Sequence, residues 1–184
     1  MLQEKITRAV ARILLGLQEK LYIGNLNAKR DWGHAKDYVY AMYLILNQDK
    51  PDDYVIATGQ TTEVREFVRK AFLRAGITID FKGKGINEIG YISNIDKDKI
   101  SEFGINNITL KKDNEVVKVD PEYFRPTEVD LLIGDSSKAR EKLGWKPKYT
   151  LDDLVNEMVV FDINLMKKEK YLKDAGYKIL NYFE

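Results

Sequence analysis

The sequence predicts an α/β fold of mixed helices and small sheets, and three observations lead to it. Apolar residues recur at helical spacing in several segments, beginning with Ile6, Ala9, Val10, Ile13, Leu14 and Leu17. The run Tyr54-Val55-Ile56-Ala57 is apolar without alternation, which suits a strand covered on both faces, as in a parallel sheet. Residues 77–120 instead carry short alternating stretches, the pattern of small antiparallel strands around a surface insertion. No internal repeat, linker or low-complexity segment divides the chain, so residues 1–184 read as one domain.

The elements follow in order. The first helix covers residues 3–17, with Arg8, Arg12 and Gln18 off its apolar face, and a short strand from Lys20 to Ile23 stops at Gly24-Asn25. The polar stretch Lys29–Gly33, built around Trp32, reads as a loop. A second helix runs from His34 to Gln48 and is apolar on most sides (Ala35, Val39, Met42 and Leu46, with Ala41, Leu44 and Ile45). Such a helix expects partners on more than one face. Pro51-Asp52-Asp53 is turn chemistry before the strand at 54–57. Thr62 is placed to cap a third helix, with Glu63 and Glu66 in its first turn and Val64, Phe67, Val68, Ala71 and Phe72 inward. Beyond Gly76, strands are expected at Ile77–Phe81, Ile108–Leu110 and Val116–Val119, the last two flanking Lys112-Asp113-Asn114. Asp135 or Ser136 caps a short helix ending at Leu143-Gly144, and Thr150 opens the last long helix, with Asp152 and Asp153 in its first turn.

Composition excludes several functions. With 44% hydrophobic and 32% charged residues, the chain is globular, and its formal net charge of +1 creates no field that would draw nucleic acid or an anionic membrane. It contains no cysteine, hence no disulfide or thiolate metal site, and its one histidine rules out a multi-histidine centre. No apolar run reaches spanning length, and Glu4, Lys5, Arg8 and Arg12 break any signal-peptide pattern. A cytoplasmic location is expected.

Redox motifs are missing as well. None of the twelve glycines forms G-x-G-x-x-G or G-x-x-G-x-x-G; after Gly83-Lys84-Gly85 the third glycine position holds Glu88. None of the eleven tyrosines has a lysine four residues on, the pairing that lowers a tyrosine pKa for use as a base. The apolar strand at 54–57 has no visible partner strands in the sequence, and an unpaired apolar strand invites aggregation unless something covers it. The sequence reads as half of a larger fold.

The string Gly24-Asn25-Leu26-Asn27-Ala28-Lys29-Arg30-Asp31-Trp32-Gly33-His34-Ala35-Lys36-Asp37-Tyr38-Val39 resembles GDP-mannose 4,6-dehydratases. So do Ile6–Arg12, Val55–Gly59, Tyr123-Phe124-Arg125-Pro126-Thr127-Glu128-Val129, Gly134-Asp135 and Lys142–Pro147. The resemblance covers nearly the whole chain and is weakest at 84–118 and in the tail. It implies the C-terminal, substrate-binding part of an extended short-chain dehydrogenase, with 34–76 as the last helix–strand–helix of a Rossmann domain that is otherwise absent. Family members dehydrate GDP-mannose to the 4-keto-6-deoxy sugar with tightly held NADP. They form homo-oligomers.

Arg30 and Arg125 match the arginines that hold the GDP pyrophosphate. Glu128 matches the carboxylate that accepts from the ribose, Lys5 a lysine near the nucleotide, and Gly24 and Asn25 the loop beside the guanine. Guanidinium forks suit diphosphate oxygens in a way that lysine does not, and Pro126 holds the backbone of Arg125 extended. Glu4 departs from the family, where an arginine is usual. Asp31 and Asp37 are expected to tie down loop and helix, His34 to cap or pack, and Trp32 and Trp145 to pack. The expected catalytic, cofactor-binding and metal residues of the chain are none, so alone it should be inactive and bind no NADP. Its partners would be GDP-mannose and a separate N-terminal Rossmann half or a full-length dehydratase. The alternative is a non-catalytic GDP-sugar-binding module or a partner subunit of a full-length dehydratase.

Overall fold

The computed structural model describes residues 2–124 and 131–177, with the side chains of Leu131 and Leu132 left aside. Helix α1 spans Leu2–Leu14 and buries Ile6, Ala9, Val10, Ile13 and Leu14, the face expected from their spacing. It lies against α6, Leu151–Asp174, and α3, Val64–Arg74. Phe67, Val68, Ala71 and Phe72 of α3 are fully buried in the same core, each large apolar side chain contributing roughly 1.5–3 kcal/mol. Thr150 and Asp153 form a reciprocal capping box at the start of α6, which satisfies two otherwise unpaired backbone donors.

Under these helices lies a four-stranded sheet in the order β1-β6-β5-β4. Its strands are β1 (Leu21–Ile23), β4 (Ile77–Lys82), β5 (Ile89–Ile95) and β6 (Glu115–Val119). Strands β4, β5 and β6 are antiparallel neighbours, whereas β1 runs parallel to β6 with Leu21 opposite Val117. A second sheet of order β3-β2-β7 joins β2 (Lys29–Asp31), β3 (Thr61–Glu63) and β7 (Leu131–Leu132).

A separate small cluster centres on Ala41, Ala139 and Trp145, with Tyr38, Leu44, Tyr54, Ile56 and Leu143 around it. It ties α2 (Ala35–Leu46) to α5 (Ser137–Leu143) and to the chain at 54–57. The outer side of this cluster is open: Val39 is 63% exposed, Tyr43 61%, Leu46 84% and Val55 54%.

Several expectations are corrected. Lys29–Asp31 is a strand and not a loop, because its backbone pairs with β3 and β7 while its polar side chains do other work. Thr62 lies in β3; α3 is capped by Glu63, which makes no side-chain capping bond. No strand forms at Tyr54–Ala57, as no strand among the described residues lies alongside to complete a ladder. Ala35, Val39, Met42 and Leu46 of α2 are exposed, so among the described residues this face has none of the partners its composition calls for. Residues 108–110 form no strand either, since β6 takes β1 and β5 as neighbours. Strand β5 and α4 (Lys97–Ser101) are additions to the expected elements.

Candidate functional site

The residues expected at the site start from the end of β1. There the chain leaves the sheet at Gly24, turns at Asn25, and returns to β2 through backbone bonds that close the loop onto α3. Arg65 N donates to the Leu26 carbonyl and Val64 N to the Ala28 carbonyl, both at 2.9 Å. Asn25 Oδ1 accepts from Asn27 N at 2.9 Å. Its NH2 makes no bond among the described residues. The side chain of Arg65 then braces the loop: it pairs with the buried Glu88 and donates to Asn27 Oδ1. No local pattern could reveal this brace, because its three members are distant in sequence.

Lys5, on the second turn of α1, places Nζ 3.7 Å from the centroid of the Tyr123 ring. Tyr123 is anchored in turn. Its N–H donates to the Asp120 carbonyl at 3.1 Å, and Asp120 N donates to Ile23 O at 2.9 Å. Its own carbonyl sits where a Cβ on Gly24 would stand. The glycine is therefore required for close backbone approach, a packing role beside any ligand role. Three segments widely separated in sequence thus meet at one point: Lys5, Gly24-Asn25 and Tyr123. Glu4 is paired with Arg8 one turn on at 2.6 Å.

Arg30 stands on β2 opposite Thr62 and Leu132, and its Nη1 donates to the Lys29 carbonyl at 2.8 Å. Arg125 and Glu128 lie outside the described residues, so the joint hold of Arg30 and Arg125 on a pyrophosphate, which the resemblance implies, does too. Beside β2, Asp31 gathers Thr58 N at 3.2 Å, Thr58 Oγ1 at 2.5 Å and Gly59 N at 2.9 Å. Asp37 accepts from Lys148 N and Tyr149 N, while its carbonyl accepts from Trp145 Nε1. Both aspartates tie segments together, as expected. His34 caps α2 through Nδ1, stacks on Tyr149 at 4.3 Å and faces Glu157 at 3.3 Å. Since Nδ1 accepts from Lys36 N, the neutral ring carries its proton on Nε2, toward Glu157. The Lys36 ammonium, bonded to Glu157, holds that carboxyl below its ordinary range. Burial pushes the Tyr38 hydroxyl up, helped by the charge of Asp31. Trp32 packs on Phe67 at 4.7 Å and Trp145 is fully buried.

A cavity of about 210 Å³ lies beside β2 between Trp32, Thr58, Thr62, Tyr149 and Thr150. A larger hollow of about 660 Å³ near Gly16, Lys20 and Glu115 contains none of the expected site residues. Among the described residues no group of three or more His, Asp or Glu is placed to hold a metal, and no helix is long and apolar enough to cross a membrane.

Comparison with known proteins gives these features a family. The sequence model of the family described as GDP-mannose 4,6 dehydratase matches residues 1–158. The chain is 49% identical over 175 residues to GDP-mannose 4,6-dehydratase from Yersinia enterocolitica, covering 95% of this chain and 45% of that protein. With the human GDP-mannose 4,6 dehydratase it shares 51% over 163 residues, 89% of this chain and 39% of that one. The chain thus spans less than half the length of these relatives. Among solved structures, RMD from Pseudomonas aeruginosa complexed with NADPH superimposes with a TM-score of 0.61 at 16% identity, over 90% of this chain and 43% of that one. A UDP-glucose-4-epimerase from Stenotrophomonas maltophila with bound NAD gives 0.56 at 17%, over 87% and 39%. These two likenesses show a shared α/β fold; NADPH is bound in the first of those structures and NAD in the second.

Proposed function

From the premise that this chain belongs to the GDP-mannose 4,6-dehydratase family, we propose that it is the GDP-mannose-binding portion of such an enzyme, without redox chemistry of its own. The meeting of Lys5, Gly24-Asn25 and Tyr123 at one point carries this reading. An ammonium, an amide NH2 and an aromatic ring there suit a nucleotide. The NH2 of Asn25, with its oxygen already engaged, is a donor for the two acceptors, O6 and N7, on one edge of guanine. Arg30 and Arg125 clasp the diphosphate and Glu128 accepts from the ribose. Tyr123 and Arg125 stand two positions apart in the sequence, which supports base and phosphate contacts from one segment.

The dehydration itself, with NADP, belongs to the assembled enzyme, whose Rossmann layer another polypeptide segment supplies. Residues 34–76 complete that layer, and the open apolar face of α2 with Val55 is the surface on which it packs. An exposed patch of this kind is what an apolar sheet face would cover. Calorimetry of the purified chain with GDP-mannose tests the binding reading. A micromolar dissociation constant is expected, and no heat at any accessible concentration removes it.

A further inference from the structure

We propose that Tyr123 is the platform on which the base of the bound nucleotide stacks. The inference rests on the nucleotide-binding reading above and gives Tyr123 a specific task within it. An exposed tyrosine alone means little, since folded proteins show many apolar atoms to water. Tyr123 differs in how it is held. Its N–H is bonded to Asp120, whose own N–H is tied to the last residue of β1. Its carbonyl is seated against Gly24, where any side chain would push it out. The backbone beneath the ring is thus fixed to the edge of the sheet, yet the residue is 51% exposed and belongs to neither hydrophobic cluster.

One face of that ring lies under the Lys5 ammonium at 3.7 Å. A cation on one face leaves the other for a second partner. A flat purine ring fits there better than an aliphatic group, because stacking of offset rings adds to the area they bury. Tyrosine also pays little entropy for such a role, having only two side-chain torsions to fix. The Asn25 amide, in the loop directly after Gly24, then reads the edge of the stacked base. Lys5 and Gly24 in this arrangement serve the platform: one covers its back, the other lets its backbone approach.

The test uses the full chain and GDP. Calorimetry and near-ultraviolet difference spectra are recorded for the parent, Tyr123→Phe and Tyr123→Ala, with unfolding midpoints measured alongside. Stacking predicts that Tyr123→Phe keeps GDP affinity within about twofold, whereas Tyr123→Ala weakens it roughly five- to hundredfold. It also predicts that the guanine band loses intensity on binding to the parent and to Tyr123→Phe, and does not with Tyr123→Ala. Equal affinity of parent and Tyr123→Ala overturns the proposal. So does an unchanged guanine band in a parent that binds GDP, or an equal loss in Tyr123→Phe, which would assign the effect to the hydroxyl. A fall in the unfolding midpoint of Tyr123→Ala matching its affinity loss would make the residue structural and also overturn it. A parent that binds no GDP at all removes the nucleotide reading and the platform with it, so the two failures are distinguishable.

Discussion

Replacing Asp37 by alanine should loosen the small cluster around α2 more than any exposed charge could. The residue is almost fully buried, and its carboxylate accepts from Lys148 N at 3.0 Å and Tyr149 N at 3.1 Å. Removing it leaves two backbone donors without their acceptor. Each such orphan costs about 1–3 kcal/mol when buried. The flanking residues Lys148 and Tyr149 are themselves exposed, so water recovers part of the loss and the lower half of the range applies, about 2–4 kcal/mol in all. Asp37→Asn keeps one acceptor oxygen and should cost about half of that. For a chain of this size, 1 kcal/mol moves the melting midpoint by roughly 2–4 °C, so Asp37→Ala should melt on the order of 5–15 °C lower. Urea titration and thermal melts of the three proteins provide the measurement. An alanine variant within about 0.5 kcal/mol of the parent, the range of inert surface changes, would refute the role assigned to these bonds.

Two further expectations concern charge and the open face. Burial between α1 and α6 raises the Asp162 carboxyl above its ordinary value of 3.8, so the folded state binds that proton more tightly than the unfolded chain. Stability from this group is therefore full at pH below 3.8 and is lost as pH rises through the folded value. Asp162→Asn should remove that decline and melt at or above the parent temperature at pH near 7; a clearly lower melt there would mean that the Thr7 and Arg8 contacts outweigh desolvation. Met42→Glu on the exposed face of α2 should leave unfolding within about 0.5 kcal/mol of the parent, yet block NADP-dependent turnover of GDP-mannose when the chain is mixed with the N-terminal portion of a relative. Turnover equal to that of the parent mixture would show that α2 is not the docking face.

Much of the fold was legible because it depends on local chemistry. The helical spacing of Ile6 to Leu14 and of Val64 to Phe72 set which faces are buried, and Thr150 with Asp153 announced α6. Expectations failed where a segment depends on neighbours. Lys29–Asp31 looks like a loop by composition, but three residues suffice for a strand when β3 and β7 lie on either side. Tyr54–Ala57 has strand composition yet forms no ladder, and α2 has core composition yet exposes Val39, Met42 and Leu46. At the site, Lys5, Gly24 and Asn25 were identified by resemblance, and the structure adds that Lys5 and Gly24 both meet Tyr123. The Arg65–Glu88–Asn27 brace had no signal in the sequence, since nothing local distinguishes Arg65 from the other surface arginines of α3.

The most direct test of a diphosphate clasp is the affinity of GDP-mannose for the parent, Arg30→Ala and Arg125→Ala, read by calorimetry in one buffer. Each guanidinium removed should weaken binding by roughly ten- to a hundredfold, with the fold unchanged by circular dichroism. Affinities equal across the three proteins would contradict the assignment of this chain as the part that grips the sugar nucleotide.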